Sequence, residues 1–287
     1  MVNVSESTLE FINHQRISEW SNIHPQSRLA LSKDEYFEHK WGEVEKLTTK
    51  MNVDGIDFKS CGKVLDLGSG LGFLVLKLLE LGADAKGIEP FEELVDVSRK
   101  LLSDTGHDPN SVSKGVGELM PFNDNSFDLI VSSSVIEHVQ DVRMVISECN
   151  RVLKDGGILY LVFPNSMRFR ESHYKSFFIP FMPKHLASLY FSARGRDGTF
   201  IHTLNYLTPR TVIEMLEYAG FKIVVSPIDE KINYVDERIN NPKILRKRNT
   251  RIKAMVLKYT GLSRVLKTMY RYGLGISDNR IIACKQT

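Results

Sequence analysis

Cysteine is scarce in this chain, and the three that occur, Cys61, Cys149 and Cys284, are scattered and odd in number. That excludes a disulfide framework, and the missing paired spacing argues against a zinc site, so no metal centre is expected. Long apolar runs are missing as well. No stretch is long enough to cross a bilayer, and the polar residues 1–10 lack a signal-peptide core, which leads to the expectation of a cytoplasmic protein. Acidic residues are absent from 243–272, a stretch that holds ten Lys or Arg although the whole chain carries only +3. The remainder is therefore net acidic. A local block of this kind marks an anionic partner: a phosphate-bearing substrate, the inner face of a membrane, or a nucleic acid. Nucleic acid is disfavoured because no recognition motif accompanies the basic residues.

The rest is ordinary for a globular protein. Charged residues make up 25% and hydrophobic residues 42% of the 287 positions, enough to bury a substantial core.

The most informative stretch is Lys63-Val64-Leu65-Asp66-Leu67-Gly68-Ser69-Gly70-Leu71-Gly72, followed by an apolar helix and then Ile88-Glu89-Pro90. It describes a buried strand, a glycine turn, a helix and a second strand ending in a carboxylate. Alternating glycines let backbone amides approach a ligand where a Cβ would intrude, and the helix offers unpaired N–H groups at the same point. A dinucleotide fingerprint would place its third glycine one residue later, where Phe73 stands, which weakens an NAD-dependent reading. Asp66 would repel a pyrophosphate but accept from an α-ammonium group, and Glu89 can accept from both hydroxyls of a ribose. Adenosine joined to an amino acid satisfies both.

A second block runs from Glu118-Leu119-Met120-Pro121 through Phe127-Asp128-Leu129-Ile130-Val131-Ser132-Ser133-Ser134 to Val135-Ile136-Glu137-His138-Val139. Together the two blocks resemble the class I S-adenosylmethionine-dependent methyltransferases, in particular the type 11 subfamily with its quinone, sugar and small-molecule enzymes. The resemblance covers about residues 60–165 and 200–226. It implies S-adenosyl-L-methionine as cofactor, held by Asp66, Gly68, Ser69, Gly70, Gly72, Glu89, Pro90, Gly117, Glu118, Ser132 and Ser133. It departs at Val116, where the family commonly has an acidic residue near adenine; backbone around Gly117, or Glu118, or packing would then hold that base.

Periodicity predicts strands at 63–67, 85–88, 112–116, 127–132 and 157–163, alternating with helices at 71–81, 92–102 and 142–153. This alternation specifies an α/β fold, a doubly wound, mostly parallel sheet whose strand ends gather Asp66, Glu89, Glu118 and residues 132–134 into one cleft. Thr208-Pro209-Arg210 starts a helix, Ala219-Gly220 stops it, and residues 221–226 form a strand. The resemblance adds an antiparallel last strand at 280–285, making a seven-stranded, Rossmann-like sheet. Residues 1–60 read as a helical lid or as a layer covering one sheet edge, and 61–287 as the methyltransferase domain.

Two helical insertions interrupt that domain. Residues 164–207 are rich in aromatics and carry Arg168, Arg170 and Lys175, which suits an acceptor-binding wall; the plainer alternative is a loop packing its aromatics on the sheet. Residues 228–279 read as basic amphipathic helices jointed at Gly261, either a packing face or a peripheral contact with a membrane or a phosphorylated, lipid-linked acceptor.

In this family the sulfonium is already a good leaving group, so a hydroxyl acceptor needs little beyond alignment and a base. The candidate histidines are His202, in the acceptor-binding insertion, and His138, whose position suits a cofactor shelf; His173 ranks third. The expected activity is O-methylation of a sugar, glycan-pathway or lipid-linked small molecule. The alternatives are a quinone or polyprenyl-phenol methyltransferase at a membrane surface and a non-catalytic module that binds S-adenosylmethionine without turnover.

Overall fold

A computed structural model describes residues 4–20, 32–241, 262–276 and 279–286. Its centre is a seven-stranded sheet of β1 (Lys63–Leu67), β2 (Asp84–Glu89), β3 (Val112–Lys114), β4 (Phe127–Ser133), β5 (Leu153–Val162), β6 (Phe221–Val225) and β7 (Arg280–Lys285). The spatial order is β3-β2-β1-β4-β5-β7-β6. The first five strands are parallel, and β7 runs antiparallel between β5 and β6. The reversal of strand order beside β1 and β4 puts a crevice at the C-terminal ends of those strands, where the glycine turn leaves β1.

Helices α1 (Glu6–Trp20), α2 (Lys33–Val53), α3 (Phe73–Glu80), α4 (Glu92–Asp104), α5 (Val142–Val152), α6 (Lys184–Ser192), α7 (Pro209–Tyr218), α8 (Pro227–Asn240) and α9 (Leu262–Arg271) surround the sheet. Their sequences explain their ends. The α5 helix starts where Asp141 accepts from the N–H groups of Arg143 and Met144, and its Val142, Val145, Ile146, Cys149 and Val152 are buried on one face. Each such Val or Ile contributes about 1.5 to 3 kcal/mol of burial. Thr208 caps α7 through a reciprocal exchange with Thr211, with Pro209 in the first turn, as the sequence predicts.

Some boundaries differ from expectation. The β5 strand begins at Leu153 rather than at Gly157, because Leu153 pairs with Phe127 and Gly156 adopts a positive φ in the resulting irregularity. The β3 strand is shorter, since Val116 turns back to bridge Leu119. Of the expected jointed basic helices, α9 is described, with no buried side chain; the first, with residues 242–261 and most of the basic block, lies outside the described residues. No helix among the described residues is long and apolar enough to cross a membrane.

The N-terminal helices are fastened to the sheet. Met51, Ile56 and Phe58 share the core cluster of Val64, Leu129 and Tyr160. Asp54, just past α2, accepts from Tyr160 Oη at 2.9 Å and from Arg280 Nη1 at 2.6 Å, and Arg280 also pairs with Glu230. The insertion after β5 has a core of its own: Tyr174, Phe178, Ala187, Phe191, Ile201 and Leu204 are buried together, with Tyr174 and Phe191 stacked 3.7 Å apart. Most of its aromatics therefore pack on one another rather than on the sheet.

Candidate active site

A cleft of about 680 Å³ opens at the C-terminal ends of β1, β4 and β5. One end is built by the glycine turn. Gly68 and Ser69 both donate to the carbonyl of Ile88 at 2.9 Å, which ties the turn to β2. The Ser98 hydroxyl, reaching over from α4, donates to the carbonyl of Gly70 at 2.8 Å. Gly70 has φ +53° and a Cβ there would meet nothing within 4 Å, so its exposed face is left for a ligand. Gly72 serves packing instead: with φ +78°, a Cβ would lie 2.8 Å from Ser98 Cβ.

The two acids of the first block meet at this turn. Glu89 is buried; its Oε2 accepts from Gly70 N–H at 2.9 Å and its Oε1 from Phe91 N–H at 3.3 Å. Its carboxylate therefore sits against the Gly70 backbone that borders the cleft. Asp66 lines the cleft, 4% exposed, and accepts no hydrogen bond among the described residues. Burial, reinforced by the neighbouring Glu89 charge, pushes its carboxyl up to about 8. Ser69 Oγ, at the same place, is buried with no partner among the described residues. A buried carboxylate without a donor, an orphan hydroxyl and a bare backbone bend fit a group bearing an ammonium and hydroxyls.

The other end of the cleft gathers the loop after β4 and the insertion after β5. Ser133, Ser134, Glu137 and His138 line it from one side, and Arg168, Ser172, His173 and Lys175 from the other, with Tyr36, Lys40 and Glu43 of α2 across the mouth. Asn205 stitches the two sides together: its N–H donates to Glu137 O and its Nδ2 to Val139 O, both at 2.7 Å. His173 Nδ1 lies 2.9 Å from Glu171 Oε1, and Tyr174 N–H donates to Glu171 Oε2 at 2.6 Å. Burial opposes ionisation of Glu171, but the His173 interaction and the Tyr174 N–H outweigh it and hold the carboxyl below its usual range. Burial raises Glu137 to about 7 and, with His173 nearby, lowers His138 to about 4.

The sequence-named residues divide accordingly. Asp66, Gly68, Ser69, Gly70, Ser133 and His138 line the cleft, and Glu89 reaches it through Gly70. Gly72 and Gly117 are close-packed, the latter against Val145. Ser132 is buried in β4, and Pro90 is exposed beyond the end of β2. Glu118 spends Oε1 on the N–H groups of Gln140 and Asp141, so it pins the start of α5. His202 is exposed on a short helical turn, Gly198–Thr203, and does not line the cleft, because Phe200 and Ile201 take the inward positions. His173, ranked third from sequence, occupies the place expected of His202. Glu137, already visible beside His138, and Glu171, two residues before His173, were not singled out. Only the carboxylate–histidine pairing could have signalled them.

Comparison with known proteins finds methyltransferases. A family described as a methyltransferase domain matches residues 65–161. The demethylmenaquinone methyltransferase of Thermotoga maritima is 33% identical over 174 residues, 58% of this chain and 72% of that protein. The mitochondrial ubiquinone biosynthesis O-methyltransferase of Rattus norvegicus is 35% identical over 125 residues, 42% of this chain and 35% of that protein. The chain thus spans about a third of the rat protein's length. A crystal structure of a putative sarcosine dimethylglycine methyltransferase from Galdieria sulphuraria superposes with a TM-score of 0.52 at 17% identity, covering 98% of this chain and 99% of that one, a likeness of fold alone.

Proposed function

The chain belongs to the S-adenosylmethionine-dependent methyltransferases, and from that premise we propose that it methylates an oxygen of a small, partly apolar acceptor bound against the insertion at 164–207. The observation that carries the reading is the meeting of Asp66 and Glu89 at the open face of Gly70. Asp66 would take the α-ammonium, Glu89 the ribose hydroxyls, and the orphan Ser69 hydroxyl a further polar group of the cofactor. When bound, S-adenosylmethionine supplies a methyl on a sulfonium: the methyl–sulfur bond breaks as the acceptor oxygen bonds to carbon, leaving S-adenosylhomocysteine and a proton.

The chain's own work is alignment and proton removal. Tyr36, Val44, Leu47 and Leu94 give the cleft apolar walls that exclude water, which strengthens every charge interaction inside. Glu137, His138 and His173 stand at the far end, where an acceptor hydroxyl must lose its proton. His202 faces solvent and has no such place.

Two features bear on the acceptor. Phe169, Phe177, Ile179 and Phe181 on the insertion are each about half exposed or more, an apolar rim suited to a lipid tail or a membrane surface. This favours the quinone or polyprenyl-phenol class, the class that the names of both curated relatives suggest. Lys40, Arg168 and Lys175 along the cleft favour a second reading, a phosphorylated sugar or lipid-linked glycan intermediate. Incubation with methyl-labelled S-adenosylmethionine and a panel of polyprenyl phenols and phosphorylated sugars distinguishes them. Label on neither class, despite tight S-adenosylhomocysteine binding, would support a module without turnover.

A further inference from the structure

The far end of the cleft has a chemical peculiarity that methyl transfer does not by itself require. Glu137 is 1% exposed and neither carboxylate oxygen accepts a hydrogen bond among the described residues. An unsolvated carboxylate left without a donor is costly. What faces Glu137 Oε1 is a pair of imidazoles: His138 Nε2 at 3.8 Å and His173 Nε2 at 4.0 Å. Both separations are too long for a hydrogen bond and nearly equal. A shared proton would draw one ring to within about 3 Å and leave the other behind. Ligands about 2.1 Å from a tetrahedral cation stand about 3.4 Å apart, so the two glutamate–imidazole separations need to close by about half an ångström and the remaining one, within 4.8 Å, by about 1.4 Å at most to grip one.

We propose that Glu137, His138 and His173 bind a single divalent transition-metal ion at the acceptor end of the cleft. The donor atoms of the three lie within 4.8 Å of one another. Two imidazoles and a carboxylate suit Zn²⁺, Co²⁺, Mn²⁺ or Fe²⁺ and are too nitrogen-rich to favour Mg²⁺ or Ca²⁺. The surroundings are those of a ligand set. Glu171 Oε1 lies 2.9 Å from His173 Nδ1, an arrangement that fixes the ring with Nε2 toward Glu137 and raises its basicity. The ring of Phe200 packs on both imidazoles, at 5.9 Å from His138 and 5.5 Å from His173, and limits their rotation. The N–H of Asn205 holds the backbone carbonyl of Glu137 itself. Two carboxylates, Glu137 and Glu171, flank the imidazoles, so a dication also balances the charge.

All three ligands border the cleft, which leaves further coordination positions facing the acceptor. There a cation would polarise an acceptor hydroxyl and make its proton easier to lose to solvent, a function that rests on the methyltransferase reading above. The expectation from cysteine spacing that no metal is held concerns thiolate sites and does not reach a histidine–carboxylate set assembled from two distant segments.

The test uses the full chain, stripped with a chelator and dialysed against Zn²⁺, with Co²⁺ titrated in parallel and followed by its visible absorption. One ion per chain is expected, with His138→Ala and His173→Ala each weakening it at least tenfold and Glu171→Gln weakening it about tenfold. S-adenosylhomocysteine titrated into the same samples reports folding. A parent chain that takes up no stoichiometric Co²⁺ or Zn²⁺, or a double histidine variant that keeps the ion, overturns the site. Should the variants lose S-adenosylhomocysteine binding as well, the parent's Co²⁺ spectrum decides: bands of a nitrogen- and oxygen-ligated, low-coordinate ion support the site, and a spectrum of free aqueous Co²⁺ overturns it. Metal uptake without S-adenosylhomocysteine binding would sink the cofactor reading and leave this site standing; the reverse result would sink this site alone.

Discussion

Cofactor affinity should climb with pH, and Asp66 should be the cause. In the free protein burial and the nearby Glu89 hold its carboxyl near 8, so it is mostly protonated at neutrality. An ammonium ligand needs the carboxylate. With a value of about 8, the ionised fraction is about 1% at pH 6, about 10% at pH 7 and about half at pH 8, and apparent affinity follows that fraction. S-adenosylhomocysteine should therefore bind about tenfold tighter at pH 7 than at pH 6, about 1.4 kcal/mol, and about fivefold tighter again at pH 8. Calorimetry at pH 7 in two buffers of different ionisation enthalpy should show close to one proton released per ligand bound. Stability of the ligand-free protein should move the other way. Asp66 keeps its proton in the folded state and sheds it near 3.8 when unfolded, so its contribution is complete below about pH 4 and is lost as pH rises toward 8. Asp66→Asn removes the titrating group and should flatten the binding profile. A parent affinity that is level from pH 6 to 8, or a slope that survives in Asp66→Asn, would refute the assignment.

Other substitutions probe separate parts of the molecule. Gly70→Val places a branched side chain on the ligand face at φ +53° and should abolish S-adenosylhomocysteine binding; micromolar binding in a folded variant would exclude the turn from the site. Glu89→Ala strips the acceptor from Gly70 N–H as well as from the ligand, so affinity should fall by about 1 to 3 kcal/mol, measured by titration at pH 8. Asp54→Ala removes the carboxylate that accepts from Arg280 Nη1 and Tyr160 Oη while Glu230 still pairs with Arg280, and should cost about 1 to 3 kcal/mol of stability in denaturant unfolding, with little change in ligand affinity once folded.

The donor end of the cleft was legible because its parts are adjacent in sequence. Asp66 precedes its glycines by two residues and Glu89 terminates the next strand, so local pattern and parallel pairing suffice to bring them together. The antiparallel direction of β7 came from the family resemblance, since an isolated six-residue strand carries no sign of its direction. The acceptor end was not legible in the same way. His173 is presented by the stack of Tyr174 on Phe191 and by Glu171, contacts between segments with no periodic signature. His202 has the right segment and residue type, and only the outward turn of one 3-10 helix separates it from the cleft. The start of β5 was hidden because glycine marks both helix ends and strand irregularities, and Gly156 and Gly157 mark the latter.

The Asn205 stitch buttons one root of the insertion to the loop after β4. Its side chain and backbone clasp the carbonyls of Ile136, Glu137 and Val139, so the histidine-bearing loop and the aromatic appendage share an anchorage at the root. Outboard of that clasp, the exposed side chains of Phe177 and Phe181 lie outside the insertion's buried cluster, so replacing those two to suit a different guest would leave the packing of Tyr174, Phe178 and Phe191 in place.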